Sequence, residues 1–531
     1  MTESQRQSWE RFQSLYFEFP SAGLALDLSR MSFSEGFLNQ MEAKFQQPFA
    51  EMRELEAGAI ANPDEKRMVG HYWLRNPSLS PAPEIRRAIE TTITAIEDFA
   101  GQVHSAKVKG AGGAFSDLLL VGIGGSALGP QFVSNALGHP RRDRLRIHFF
   151  DNTDPDGMQR VLEEIGSRLN QTLCMVISKS GGTKETRNGM LEARAAFEKA
   201  GLNFGSHAVA VTQEGSELDK LAVAQGWIDR FPMWDWVGGR TSQTSAVGLL
   251  PAALQGFAIR DLLAGAAACD AATREWSLRK NPAALLATAW FHATKGRGEK
   301  SMVVLPYKDR LELFAKYLQQ LIMESLGKRT DRAGKEVLQG ITVLGNKGAT
   351  DQHSYIQQLR DGLDAYFAVF IEVLKDCDEK AIEVEQLTTS GDYLQGFYLG
   401  TRAALHGSGR ESISITVESV SAFSVGGLIA LFERAVGFYA SLVNINAYHQ
   451  PGVEAGKVAA GKIIGLQTEL LGLLRENEGK RFTIPELSSV IGSAGVPDEL
   501  FKVCEHLAAN PSKGIKRTRT ESGVAYGYAP A

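Results

Sequence analysis

The sequence predicts the α/β class: two mostly parallel sheets, each with helices on both faces, plus helical N- and C-terminal flanks. Three observations carry this. Continuous apolar runs end in glycine or polar turns, as in DLLLVGIGG, RIHFFDN, TLCMVISKS and HAVAVTQ. Helical patterns such as DPDGMQRVLEEIG and TKETRNGMLEARAAFEKAG stand between them. The same alternation starts again near residue 300, in a chain of 531 residues that is too long for one ordinary core.

In chain order, residues 1–110 read as a helical, amphipathic segment, as in SFSEGFLNQMEAKFQQPFAEMRELEAG. Residues 111–285 hold the first set of strands, which lack polar alternation because both of their faces are expected to be covered. Residues 286–485 hold the second set. There KSMVVLPY, ITVLGN, AYFAVFIEVL and ESISITVES read as strands, and LELFAKYLQQLIMESLGK reads as a helix. Residues 486–531 are more polar, and PSKGIKRTRTESG is expected to be a solvated or loosely docked tail.

Composition narrows the function classes. Hydrophobic residues make up 44% and charged residues 22%, the balance of a soluble globular chain. A formal net charge of -4 supplies no long-range attraction for nucleic acid or an anionic membrane, so neither is expected as a partner. The most apolar helical candidate, SAFSVGGLIALF, is short of the roughly twenty residues a membrane span needs and is expected to be interrupted at Glu433 and Arg434. The start, MTESQRQSWERFQ, has no basic segment followed by an apolar run. Cys174, Cys269, Cys377 and Cys504 are far apart, which fits neither a disulfide framework nor a zinc site. A reducing cytoplasm is the expected setting. No HExxH or comparable ligand cluster appears, so neither metal nor cofactor is expected.

Two loops carry the chemistry. VGIGGSALG places Gly122, Gly124 and Ala127 in the G-x-G-x-x-A spacing after a strand, and the next strand ends in Asp151, which suits a dinucleotide. SKSGGTKET, however, adds Ser178, Lys179, Ser180 and Thr183 at a second strand end. Hydroxyls, a lysine, glycine-freed N–H groups and a helix N-terminus suit a phosphate dianion, and a dinucleotide fold does not need this second loop. Helix capping would explain one hydroxyl of the cluster.

Together with four later stretches these loops resemble a known family. VGGRTSQTSAVGLLP, QQLIMESLGK, GATDQHSYIQQLRDG and HQPGVEAGK occur in the order of the glucose-6-phosphate isomerases, which belong to the sugar-isomerase domain proteins. The resemblance covers residues 110–465 and implies two sugar-isomerase-type domains. It departs at Gly181-Gly182, where other members carry hydroxyl and aromatic residues, and at His449, where the last motif usually has Asp or Asn.

The resemblance implies aldose–ketose isomerisation of a phosphosugar through an enediolate, without cofactor. That reaction needs a base, a cation near the developing oxyanion and an acid for ring opening. Glu324 is the implied base, four residues after Gln320 on one helix face. Arg240, after Gly238 and Gly239, would stabilise the enediolate. His353 would open the ring, and Lys457 would stand near the ring oxygen. Gly125, Ser126, Ser178, Lys179, Ser180 and Thr183 would hold the phosphate, and Gln320 and Gln450 the sugar hydroxyls. A homodimer is implied, with each site taking its histidine from the neighbouring subunit. A bifunctional glucose/mannose phosphate isomerase, a phosphosugar-binding regulator and an NAD-dependent dehydrogenase are the other readings. The dehydrogenase leaves ESLGK and HQPGVEAGK unexplained.

Overall fold

The computed structural model of the chain describes residues 1–34, 36–491, 496–520 and 523–530. The chain divides into two units, Met1–His449 and Gln450–Ala531. In the larger unit the strands of the two main sheets are β1 (Tyr16–Phe19), β2 (Leu24–Arg30), β3 (Asp117–Val121), β4 (Arg146–Phe150), β5 (Thr172–Ile177), β6 (Ala208–Thr212), β7 (Asp229–Pro232), β8 (Ser301–Pro306), β9 (Val343–Leu344), β10 (Tyr366–Val373) and β11 (Ser412–Val417).

The first sheet is wholly parallel, in the order β4-β3-β5-β6-β7. Its middle strands are buried on both faces. Along β3, Leu118 and Leu120 enter one hydrophobic core while Leu119 and Val121 enter another, as alternate side chains of a strand must. This is why the sequence shows a continuous apolar run there rather than alternation. The chain passes from β3 to β4 on one side, then returns to lay β5 on the other side of β3. The order therefore reverses between β3 and β5, and a crevice opens beyond the carboxyl ends of those two strands. The glycine loop after β3 and the Ser178–Thr183 loop after β5 flank that crevice.

The second sheet has the order β1-β2-β11-β10-β8-β9. Strands β8 to β11 are mutually parallel, whereas β2 runs antiparallel to β11 and β1 antiparallel to β2. The segment 1–110 is thus not helical throughout, as expected from its pattern. Beside helices such as α1 (Glu3–Leu15) it carries the hairpin that forms one edge of the second sheet. Nothing local in YFEFPSAGLALDLSR points to a partner so far along the chain.

Further helices bear on the site: α2 (Leu128–Leu137), α3 (Lys184–Lys199), α4 (Ile259–Ala272), α5 (Ser390–Gly407) and α6 (Ala422–Leu442). The apolar helix does not stop at Glu433 and Arg434; α6 runs through both for 21 residues, with 89% of its most apolar window buried. Both charges are paired inside the core. Arg434 Nε lies 3.1 Å from Asp270 Oδ1 and its terminal nitrogen meets Glu56, while Glu433 meets Arg75 and accepts from Tyr317 at 3.4 Å. Arg75 closes the network on Asp270 at 2.8 Å. Buried charges persist only when paired in this way.

The second unit comprises α7 (Pro451–Glu476), β12 (Phe482–Thr483), α8 (Ile484–Ile491), α9 (Pro497–Ala509), β13 (Ile515–Thr520) and β14 (Gly523–Tyr528). Its antiparallel sheet has the order β12-β14-β13, and element order and strand order together are those of a winged helix. It has its own core, with Leu470, Leu474, Leu487, Leu500, Cys504 and Tyr526 buried together. This corrects the expectation of a loose tail beginning at residue 486, because the unit begins at Gln450 and the basic stretch Lys516–Arg519 is a strand. Residues 492–495, 521–522 and 531 of the supposed tail lie outside the described residues.

Candidate active site

Glu324 ends a segment, Gln319–Glu324, that is wound more widely than an α-helix, with π-type turns continuing the helix Phe314–Leu318. Such wide turns break the helical ladder and are frequent at functional sites. Here the wide turn sets the Glu324 carboxylate against the Arg240 guanidinium, with Oε2 3.2 Å from Nε. Arg240 is 6% exposed and Glu324 18%. Arg240 also donates to the Ala447 carbonyl at 2.9 Å and approaches Ser325 Oγ at 3.4 Å, so the fork is fixed from several sides. Burial pulls the Arg240 pKa down, and Glu324 opposes that pull.

The glycine loop comes to the same place. A Cβ on Gly125 would lie 2.0 Å from the Gly239 carbonyl oxygen, so only glycine lets the first loop touch the backbone beside Arg240. A Cβ on Gly124 would come within 3.0 Å of Gln320 Nε2. Ser126, half-buried, closes this turn. Gly124–Ser126, Gly238–Arg240 and Gln320–Glu324 therefore form one wall.

The second loop is organised differently from the expectation. Ser178 is 4% exposed, and its Oγ accepts from the Gly181 N–H at 3.1 Å; Ser180 Oγ accepts from Gly182 at 3.2 Å. Both hydroxyls hold the turn, in which Gly181 has a φ of +78° and a Cβ would strike the Leu218 nitrogen. Thr183 precedes α3 without using its hydroxyl as a cap. Lys179 lies 3.3 Å from Asp235 and donates to the Asp235 and Val237 carbonyls, which ties this loop to the strand exit leading into Arg240. A division of labour follows. Thr183→Ala is expected to raise KM for a phosphosugar with little change in folding, since a hydrogen bond to a charged group is worth about 1.5–3 kcal/mol. Ser178→Ala is expected to lower the urea midpoint as well. Equal KM values for Thr183→Ala and the parent would remove Thr183 from the phosphate site.

His353 is not in this cluster. It is exposed at the end of the turn Thr350–His353, whose neighbour Gln352 is anchored on α5 through Thr401 and the Phe397 carbonyl. Gln450 and Lys457 belong to the second unit, where Gln450 precedes α7 and Lys457 lies in its second turn.

Sequence reasoning missed Lys328, although it ends the ESLGK stretch. Lys328 is 5% exposed and donates to the Glu324 carbonyl at 2.7 Å. Burial first, then repulsion from Arg240, lowers its pKa to about 7, with Glu324 opposing. His449, noted only as a departure, stands beside the same charges. Its Nε2 is 3.8 Å from Asp64, and burial, then Lys328 and Arg240, lower its pKa against the pull of Asp64. A lysine after a glycine gives no sign of burial, so only a family pattern around Glu324 could have flagged it. Between pH about 7 and 10.5 the unfolded chain binds a proton at Lys328 that the folded chain does not, so stability rises with pH across that window and is lost as pH falls towards 7. The slope is at most about 1.4 kcal/mol per pH unit. Urea midpoints at pH 7 and 9 should show this gain in the parent and lack it in Lys328→Met; parallel pH dependences would show that Lys328 is charged throughout.

The sequence profile of the family described as phosphoglucose isomerase matches residues 36–407 and 399–470. The chain belongs to the phosphoglucose isomerase family. A glucose-6-phosphate isomerase of Geobacter sp. (strain M21) is 60% identical over 514 residues, 97% of each chain, and one of Synechococcus elongatus is 57% identical over 514 residues, also 97% of each. These alignments take in most of the winged-helix unit, which the phosphoglucose isomerase profile leaves at residue 470. Among solved structures, a glucose-6-phosphate isomerase from Chlamydia trachomatis is 29% identical with a TM-score of 0.79, covering 88% of this chain and 93% of its own. A hypothetical protein from Thermus thermophilus is 27% identical with a TM-score of 0.69, covering 83% of this chain and 99% of its own.

Proposed function

We propose that this phosphoglucose isomerase interconverts glucose 6-phosphate and fructose 6-phosphate with Glu324 as the base that moves the proton between C1 and C2. The observation that carries this assignment is the pair itself: a carboxylate 3.2 Å from a buried guanidinium, with the buried amine of Lys328 on the same segment. The buried Arg240 guanidinium, fixed in place, supplies positive charge where an enediolate forms. Donors and charges fixed before reaction stabilise such an anion without reorganising. Arg240 faces that charge. Gly125, Ser126, Lys179 and Thr183 hold the phosphate at the crevice between β3 and β5, with Ser178 and Ser180 shaping the loop. Gln320 orients a sugar hydroxyl. The resemblance assigns a second hydroxyl to Gln450 and the ring oxygen to Lys457. Free, widely spaced cysteines, three of them buried, fit a reducing cytoplasm. Formation of glucose 6-phosphate from fructose 6-phosphate, read through a coupled dehydrogenase, tests the activity; no turnover by the folded chain would refute it.

His353 supplies the ring-opening proton to the site of a second copy. Its exposure, outside the Glu324 cluster, supports this reading, and two-fold symmetry would pair each His353 with the partner's Glu324. Glu324→Gln and His353→Ala chains, each nearly inactive, should recover activity when unfolded and refolded together. About half of the dimers would be hybrids, each with one doubly defective and one intact site, so the return is up to about a quarter of the parent activity. Verified hybrids as inactive as either single variant would place His353 in its own chain's site or outside catalysis.

A further inference from the structure

A second cluster of cations lies away from the Glu324 wall, where α1 crosses the edge of the second sheet. A cavity of about 260 Å³ opens there, with Ser4, Gln7, Ser8 and Arg11 from α1, Arg30 from β2 and His406 from α5 on its lining. Arg11 is held rigidly, donating to the Ser29 carbonyl at 2.9 Å and to that of Met31. Arg30 Nε is buried and has no acceptor among the described residues. Arg402, one turn before His406 on α5, pairs with Asp27 and reaches Ser29 Oγ at 3.3 Å, yet its Nε is likewise buried without an acceptor among the described residues. The carboxylates nearby include Asp27, engaged by Arg402, Glu372, which already accepts from Gln395 at 2.7 Å and Thr416 at 2.6 Å, and Glu3, bonded by Gln7 at 3.3 Å on the α1 side. Three guanidiniums and an imidazole thus converge with one paired aspartate among them. Their mutual repulsion is visible in the groups themselves: burial, then Arg402, lowers the pKa of Arg30, and burial, then Arg30, Arg402 and Arg11, lowers that of His406.

Such a cluster is costly unless something neutralises it, since unpaired donors in a partly buried site forfeit their hydration. We propose that this cavity is an anion site for the phosphate group of a compact molecule, separate from the substrate phosphate loop. Guanidinium forks match phosphate oxygens in pairs, and the hydroxyls of Ser4 and Ser8 and the amide of Gln7 complete a donor set around them. The volume is at the lower end of ligand cavities, which suits inorganic phosphate or a short organic phosphate rather than a nucleotide. The helix that carries Arg402 and His406 also carries Thr401, the anchor of Gln352 beside His353. An occupant would therefore bind at one side of an element that holds the His353 turn at the other.

The test is calorimetric titration of the full chain with inorganic phosphate, glycerol phosphate and sulfate. Variants are Arg30→Gln, His406→Glu and, as a charge control on the same helix, Ala404→Glu, two residues from both Arg402 and His406 and so on another face. The parent should take up one equivalent of phosphate that Thr183→Ala retains and that Arg30→Gln and His406→Glu weaken at least tenfold, with Ala404→Glu like the parent. Tighter binding of glycerol phosphate than of inorganic phosphate would assign the site to an organic phosphate, and the reverse order to the free ion. His406 is exposed, so His406→Glu answers the question even if Arg30→Gln fails to fold. Unchanged phosphate stoichiometry and affinity in His406→Glu, or sulfate binding as tightly as either phosphate, would overturn the proposal.

Discussion

Glu324→Gln is expected to lower kcat by roughly 100- to 10,000-fold while leaving phosphosugar affinity within a fewfold of the parent. Glutamine keeps the size and polarity of the side chain beside Arg240, which stands 3.2 Å from Glu324 Oε2. It cannot take a proton from carbon. The wide turn at Gln319–Glu324 and the anchoring of Lys328 on the Glu324 carbonyl are backbone features that the substitution spares, so the fold should persist, with a lower urea midpoint because Arg240 loses its counter-charge. Exchange of solvent tritium into the sugar should disappear together with turnover. Turnover within fivefold of the parent would show that another group moves the proton.

Arg240→Ala should reduce kcat by roughly 100- to 1000-fold, the loss seen when a preorganised donor to a developing oxyanion is removed. Lys179→Ala should act mainly on KM, because its amine stands at the phosphate loop and meets charge present in ground and transition state alike. Arg240→Lys should not restore the parent rate, since an ammonium cannot reproduce the fork that spans Glu324, Ser325 and the Ala447 carbonyl. Removing Arg240 also leaves Glu324 without its buried counter-charge, so a lower urea midpoint is expected alongside the kinetic loss. A normal kcat with poor affinity in Arg240→Ala would exchange the roles of Arg240 and Lys179.

Much of the proposed site is legible in residue order because it depends on local chemistry. DLLLV and TLCMVI announce strands buried on both faces, and the polar loops that follow them mark carboxyl ends where a ligand can bind. Glu324 and Arg240 were assigned through the motifs around them, and the fold brings them together. The roles inside SKSGGTKET were less legible. Whether a serine faces a phosphate or its own turn depends on a rotamer, and Ser178 and Ser180 turn inward to the N–H groups of Gly181 and Gly182.

By itself, then, the amino-acid sequence determined the α/β class, the two mostly parallel sheets, the loops at their carboxyl ends and the family to which the chain belongs. These follow from period, composition and short motifs, which are properties of neighbours along the chain. Only the tertiary structure decided that β1 and β2 close the edge of the second sheet, that α6 runs unbroken through Glu433 and Arg434, that Lys328 is a buried lysine with its pKa lowered to about 7, and that the polar C-terminal segment is a folded unit. Each of these turns on a partner remote in sequence. Arg434 is tolerable in an apolar helix because Asp270 and Glu56 neutralise it, and Lys328 is perturbed because burial and Arg240 disfavour its charge. The energy of a charge is set by what surrounds it in space, and residue order does not contain that until the chain has folded.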